Sequence, residues 1–338
     1  MTGRTGTFAT VSSGRLRTAV ALLGVPIGLL FLWLAVRNAD ADAVWDTLRD
    51  ANLRLVALAI GAFGVVYLLQ AVRWRRIAAT PAVSVPRFYE MTVSGIAVNN
   101  VLPGRIGDFL RARWLGREAR LPYGTAFGTV VLDRAFDVVV LVGLLIVGIG
   151  AVASSAWLWQ LAAAGSVLVL GIAGVLLLSR VYIGKRERDR RERGLVRRLV
   201  RDTVERLAEP LGRRHIVTWL GLSILAWSMW AVAAYLVARS LGIELSMTKA
   251  LFVTAVINLG SAVPSSPGFV GTYEWLGVAA LGLLDVDHEP ALAFTILTHA
   301  AWYVPTTVFG AVALSMRWAA GVRRRRVASA ARVDRASG

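Results

Sequence analysis

Long apolar runs alternate with short, mostly basic polar stretches along this chain, and the alternation predicts its elements. Residues 19–36, 55–72, 123–150, 157–179, 216–238 and 291–316 are apolar runs of the length, about 18 residues or more, that crosses a bilayer as a helix. Two further apolar segments are interrupted. Residues 88–102 run into Pro103 and Gly104 and return through 106–115, while residues 251–263 break at 264–268 and return through 270–284. Both breaks carry Pro-Gly-x-(Ile or Val)-Gly, with Pro103, Gly104 and Gly107 in the first. Pro264 opens the second, which continues through Pro267, Gly268 and Gly271. Such a break frees backbone amides and carbonyls that hydrocarbon cannot satisfy, so each predicts the tip of a re-entrant hairpin lying against protein or water.

Charge then orients the elements. Basic residues flank the first hairpin on both sides, from 73–76 to Arg117 and Arg120, which places its mouth on the cytoplasmic face. The second hairpin emerges at Asp285, Asp287 and Glu289 and is expected to open outward. Trp74 suits the interface and its neighbouring arginines the cytoplasm. The first run is longer than a signal-peptide core and reads as an uncleaved span. The expected fold is an all-α polytopic membrane protein with six full spans and two re-entrant hairpins in an inverted-topology repeat. That arrangement recurs in transporters whose broken helices meet near the midplane.

The domains expected are a cytoplasmic N-terminus (1–18), one membrane domain (19–318) and a basic disordered tail (319–338). Within the membrane domain, 53–150 forms the first repeat and 215–318 the second. Between them, 180–214 carries 13 Lys/Arg against 6 Asp/Glu, with apolar residues at helical spacing. It suits a basic amphipathic helix on the inner leaflet or a solvated linker helix. Both termini are expected in the cytoplasm and the protein in the cell inner membrane.

Composition closes several classes. The net charge of +17 would invite a nucleic-acid reading, but it lies in loops and tails beside apolar spans, so no nucleic-acid partner is expected. No cysteine is present, which removes disulfides and thiolate chemistry. No His-x-x-x-His pair, P-loop or Gly-x-Ser-x-Gly occurs, so no metal, cofactor or enzymatic activity is expected.

The candidate chemistry lies in charges inside apolar sequence, which are costly there and usually paired. Asn99, Asn100, Arg105, Asp108 and Arg111 surround the first break, with Asp108 and Arg111 spaced to pair on a helix. Asp133 and Asp137 share a face of the third run beside Arg134, and could flank a cation or one neutralising arginine. Glu274 follows the second break, near Asn258, Ser261, Ser265, Ser266 and Tyr273. These charges form either a structural network of Asp133, Arg134, Asp137 and Arg105, or a site where Arg105, Arg111 or Arg134 takes an anionic headgroup. His299 and Tyr303 share a face of the last run, as packed residues or a proton relay.

At these residues the chain resembles the flippase-like, lysylphosphatidylglycerol synthase transmembrane family over roughly residues 20–318. The resemblance rests on Asn100-x-x-Pro103-Gly104-Arg105-x-Gly107-Asp108-x-x-Arg111, on Asp133-Arg134-x-x-Asp137, and on Pro264 through Gly271 with Glu274. Phe269 stands where the family's usual Pro-Gly-Gly has its second glycine. The resemblance implies lipid translocation. Synthase activity is not expected, because no soluble aminoacyltransferase domain follows the last run. The function expected is a flippase or transporter of a phospholipid or lipid-linked sugar with an anionic headgroup. The alternatives are an ion-coupled transporter of a small solute, or a non-transporting subunit that anchors a lipid-modifying glycosyltransferase. Expected partners are membrane lipids, anionic ones foremost. A second copy of the chain and a lipid-modifying enzyme are the candidate protein partners.

Overall fold

The computed structural model describes residues 25–103, 105–149, 159–160, 162–167, 171, 202–203, 213–261 and 266–336, with side chains described through Arg317 and on to residue 319. The start of the first run, nearly all of 157–179 and of the 180–214 linker, and Gly104, Pro264 and Ser265 lie outside the described residues. Every regular element among the described residues is helical.

Ten helices have their bounds among the described residues. They are α1 (Val25–Val36), α2 (Ala41–Arg49), α3 (Leu53–Ala78), α4 (Val85–Val101), α5 (Ile106–Glu118), α6 (Tyr123–Ile149), α7 (Arg213–Ser240), α8 (Met247–Gly260), α9 (Thr272–Gly282) and α10 (His288–Ala336). A 3-10 turn, Pro267–Phe269, precedes α9. Local chemistry sets the ends. Asp40 and Asn52 cap α2 and α3 with their carboxylate and amide oxygens, and Pro86 stands in the first turn of α4, where its missing N–H costs nothing. The expected disordered tail is helical to Ala336. Its Ala- and Arg-rich sequence after Gly321 holds strong helix formers and no Gly or Pro before the end of the helix.

Among the described residues α3, α7 and α10 are long and apolar enough to cross a membrane. At 27 residues, α6 is about 40 Å long but carries Asp133, Arg134 and Asp137. Large apolar side chains face outward along single stripes: Leu58, Val65 and Leu68 on α3, and Val304, Val308, Val312 and Met316 on α10. A water-soluble fold would cover such surface. Inside, the largest core cluster gathers Phe63, Tyr67, Trp227, Trp230, Phe252, Tyr273, Phe294 and Trp302 from α3, α7, α8, α9 and α10.

The packing partners have a regular order. α3 lies along α7, α4 against α10, and α8 against α6. Exchanging α3–α6 with α7–α10 returns the same set of neighbours, because α4 with α10 becomes α8 with α6.

Within the first break, α4 and α5 touch backbone to backbone. A Cβ added at Gly107 would lie 1.8 Å from the Gly95 carbonyl oxygen, so only glycine permits this crossing. Asn99 clips the same place, its Oδ1 accepting the Gly107 N–H at 2.7 Å. Gly107→Ala is therefore expected to destabilise the protein by about 1–3 kcal/mol through overpacking. A lowered melting temperature of the solubilised protein checks it.

Candidate functional site

The site is built where the two breaks meet. In the first, α4 stops at Val101, Leu102 turns extended, and Arg105 takes the left-handed region at φ 53° before α5 begins. In the second, Gly268 and Gly271 are left-handed at φ 65° and 88°. Phe269 adopts the same region at φ 64°, so the turn keeps a glycine's backbone with a phenylalanine in it. The strain is of order 1 kcal/mol.

The breaks are joined by direct contacts. The Arg105 Nη2 donates to the Ser261 carbonyl at 3.3 Å, and its guanidinium lies 5.8 Å from the centre of the Phe269 ring. The Tyr303 hydroxyl donates to the Asn100 carbonyl at 3.1 Å, while the Asn100 amide donates to Thr307 at 2.8 Å. A Cβ on Gly268 would meet that Asn100 carbonyl at 3.0 Å.

Beneath the first break lies a buried ion network. The Arg73 guanidinium, wholly buried, donates to Asp133 at 2.9 Å, to Asp137 at 2.7 Å and to the Ser223 hydroxyl at 2.6 Å. The indole N–H of Trp227 adds a bond to Asp137 at 3.0 Å. Arg111 reaches Asp133 at 3.3 Å and Asp108 at 3.4 Å, with its guanidinium 4.2 Å from the centre of the Trp74 ring. Arg134 pairs with Asp137 at 3.1 Å. Three arginines thus face three aspartates, and the network is neutral.

Above the second break, the Glu274 Oε2 accepts the Gly271 N–H at 2.6 Å, at the start of α9 where the helix dipole favours negative charge. Its Oε1 lies 2.5 Å from the His299 Nδ1, and the His299 Nε2 lies 2.9 Å from the Gly268 carbonyl oxygen. The imidazole is stacked between Tyr273 and Trp302, with ring centres 4.5 and 5.1 Å away.

The predicted site residues divide accordingly. The expected Asp108–Arg111 pair forms, and the Asp133–Asp137 face does enclose a neutralising arginine. That arginine is mainly Arg73, which the sequence places in the cytoplasm. Trp74, expected at the interface, is fully buried and donates to Thr129 at 3.0 Å. The reason is periodicity: Phe63, Tyr67, Gln70, Arg73, Trp74 and Ile77 continue one buried stripe of α3, and that signal was present in the sequence.

Arg105 stands outside the network to which it was assigned. It is exposed, and among the described residues no carboxylate lies within 4.0 Å of it. Asn258 bonds back to Thr254 in its own helix, and Ser266 to the Val270 carbonyl, so neither joins Glu274. A further cluster was not foreseen. Arg87, Glu90, Glu118 and Arg317 tie the start of α4 and the end of α5 to α10. Partial burial opposes the Arg87 charge, but Glu118 and Glu90 outweigh it and raise its pKa.

An outward apolar surface, helices of spanning length and helix breaks pressed together over a buried ion network define an integral membrane protein with several helical spans. Residues 19–310 match the family described as the lysylphosphatidylglycerol synthase TM region, and the chain belongs to that family. It is 27% identical to a protein of Haloferax volcanii named glycosyltransferase AglD, over 87% of this chain and 54% of that protein. The chain thus spans about half the length of that relative. Two relatives it covers almost fully are a UPF0104 membrane protein of Methanothermobacter thermautotrophicus and UPF0104 membrane protein PH1989 of Pyrococcus horikoshii. The first is 24% identical over 86% of this chain and 93% of its own, the second 23% over 88% and 96%.

Proposed function

We propose that this protein moves a lipid, or a lipid-linked sugar, with an anionic headgroup between the leaflets of the cell membrane, and does not itself carry out synthesis. One observation carries the reading. Arg105 sits at the junction of the two helix breaks as a cation with no carboxylate within 4.0 Å among the described residues, beside a network whose own charges cancel. A guanidinium is the group that best takes two phosphate oxygens at once. Arg111 and Arg134, held by aspartates, position the inner break and leave the headgroup to Arg105.

In this reading six helices cross the bilayer, α4 with α5 and α8 with α9 dip from opposite faces, and both termini are cytoplasmic. The exchange of neighbours between α3–α6 and α7–α10 supports an inverted repeat. So does the contrast between Arg117 and Arg120 after one hairpin and Asp285, Asp287 and Glu289 after the other. The name of the Haloferax volcanii relative favours a second reading, a membrane unit that serves a lipid-modifying glycosyltransferase.

Reconstitution separates the two. Vesicles containing the protein, loaded with fluorescent anionic or zwitterionic phospholipids or a polyprenyl phosphate, are exposed to an external quencher. Translocation predicts that the anionic lipids become accessible in proportion to the protein added. If none of these lipids moves, the transport reading fails.

A further inference from the structure

The contacts of His299 fix a proton count. The Nε2 faces the Gly268 carbonyl oxygen at 2.9 Å, which can only accept, so Nε2 carries hydrogen. The Nδ1 faces the Glu274 Oε1 at 2.5 Å, and one further proton lies between them, on nitrogen or on oxygen. If that proton leaves, the neutral imidazole has two tautomers. With hydrogen on Nε2, the bare Nδ1 confronts the Glu274 carboxylate; with hydrogen on Nδ1, the bare Nε2 confronts the Gly268 carbonyl. Either state breaks one bond and sets two lone pairs together.

The same pair holds one turn at both ends. His299 grips the carbonyl of Gly268, and Glu274 grips the N–H of Gly271. Gly268 in turn rests against the Asn100 carbonyl of the other break. A change in the pair is therefore a change in how the two breaks touch.

We propose that Glu274 and His299 form a proton-held latch that keeps the Gly268–Gly271 turn against Asn100 and frees it when the shared proton passes to water. The latch gates the junction, and its use in transport rests on the translocation reading above. The other groups facing the imidazole do not replace the proton. Tyr273 comes from α9 and Tyr303 from the ring's own helix, both as ring contacts, while Arg105 lies across the turn over Phe269 and holds the Ser261 carbonyl.

The absence of cysteine makes the test direct. Asn100→Cys, buried under the turn, reports opening through its alkylation rate, and Val270→Cys, already exposed, corrects for thiolate chemistry. In vesicles, the corrected rate is expected to rise at least about tenfold from about pH 5 to about pH 9, the effect of losing a charge-assisted hydrogen bond. In a His299→Gln background, where the amide still donates to Gly268 but cannot titrate, it is expected to stay flat. A flat rate with His299 present, or an equal rise with glutamine, overturns the latch.

Nitrogen-15 histidine spectra of the unmodified protein give a second readout that tolerates failure of the cysteine variants. The signal lost in His299→Gln should show both ring nitrogens hydrogen-bonded at low pH and one released at high pH. A single state throughout contradicts the latch. Lipid movement measured in the same vesicles keeps the two proposals apart. Lipid that moves with a flat alkylation rate sinks the latch alone, and a pH-dependent rate without lipid movement sinks the transport reading alone.

Discussion

Replacing Arg73 with leucine is expected to cost the fold about 3–5 kcal/mol, enough to prevent recovery of intact protein. The cause is what remains. Asp133 and Asp137 are buried on α6, and Arg73 hydrogen-bonds to both at 2.9 and 2.7 Å. Without it, two carboxylates share one dry site, with Arg111 and Arg134 left to answer for them and for Asp108. Lysine should fare little better, since the fork reaches Asp133 through Nε and Asp137 and Ser223 through Nη1, which a single ammonium cannot copy. Adding Asp133→Asn and Asp137→Asn to the leucine variant should recover part of the loss, because the uncompensated charge goes with them. The check is the melting temperature and monodispersity of the solubilised protein. A leucine variant as stable as the parent would mean the network does not hold α3, α6 and α7 together.

The second large effect has the opposite character. Arg105→Gln is expected to leave the melting temperature nearly unchanged and to slow movement of anionic lipid by about ten- to a hundredfold, the worth of a charge-assisted contact. Arg105 contributes one bond to a carbonyl and a ring contact to the fold, and no described ion pair depends on it. Equal rates with glutamine would remove Arg105 from the pathway. Together the two arginines separate scaffold from site: one is buried and paired, the other exposed and without an ion pair among the described residues.

Much of the architecture was legible along the chain. The arms of both breaks and the third and fifth runs fall within a few residues of α4 to α9, and the sixth run begins close to the start of α10 but ends well short of Ala336, because apolar length and Pro-Gly punctuation are local signals. The Asp133–Asp137 face and the Asp108–Arg111 pair were legible for the same reason, being three or four residues apart on one helix. What was not legible is contact between distant segments. Glu274 and His299 each stood out, but nothing in a run of residues says that positions 25 apart meet at 2.5 Å. Arg73 was missed because a cluster of three arginines beside a tryptophan carries the signature of a membrane edge. The helical stripe beneath that signature shows that Arg73 faces inward while Arg75 bonds the loop carbonyls of Val83 and Pro81.

Phe269 shows how a departure from pattern can be absorbed. The left-handed backbone is retained, and the ring that replaces a hydrogen lies beneath the Arg105 guanidinium. The side chain that strains the turn also helps to hold the cation at the junction.

Passage of an anionic headgroup where the two breaks meet would leave a trace on the residues that line the junction. Photo-crosslinking with a phosphate-bearing lipid probe, mapped by mass spectrometry, tests it most directly. Adducts are expected at 99–105 and 266–270, and they should fall sharply in Arg105→Gln. Adducts confined to the outward stripes of α3 and α10, unchanged by that substitution, would contradict it.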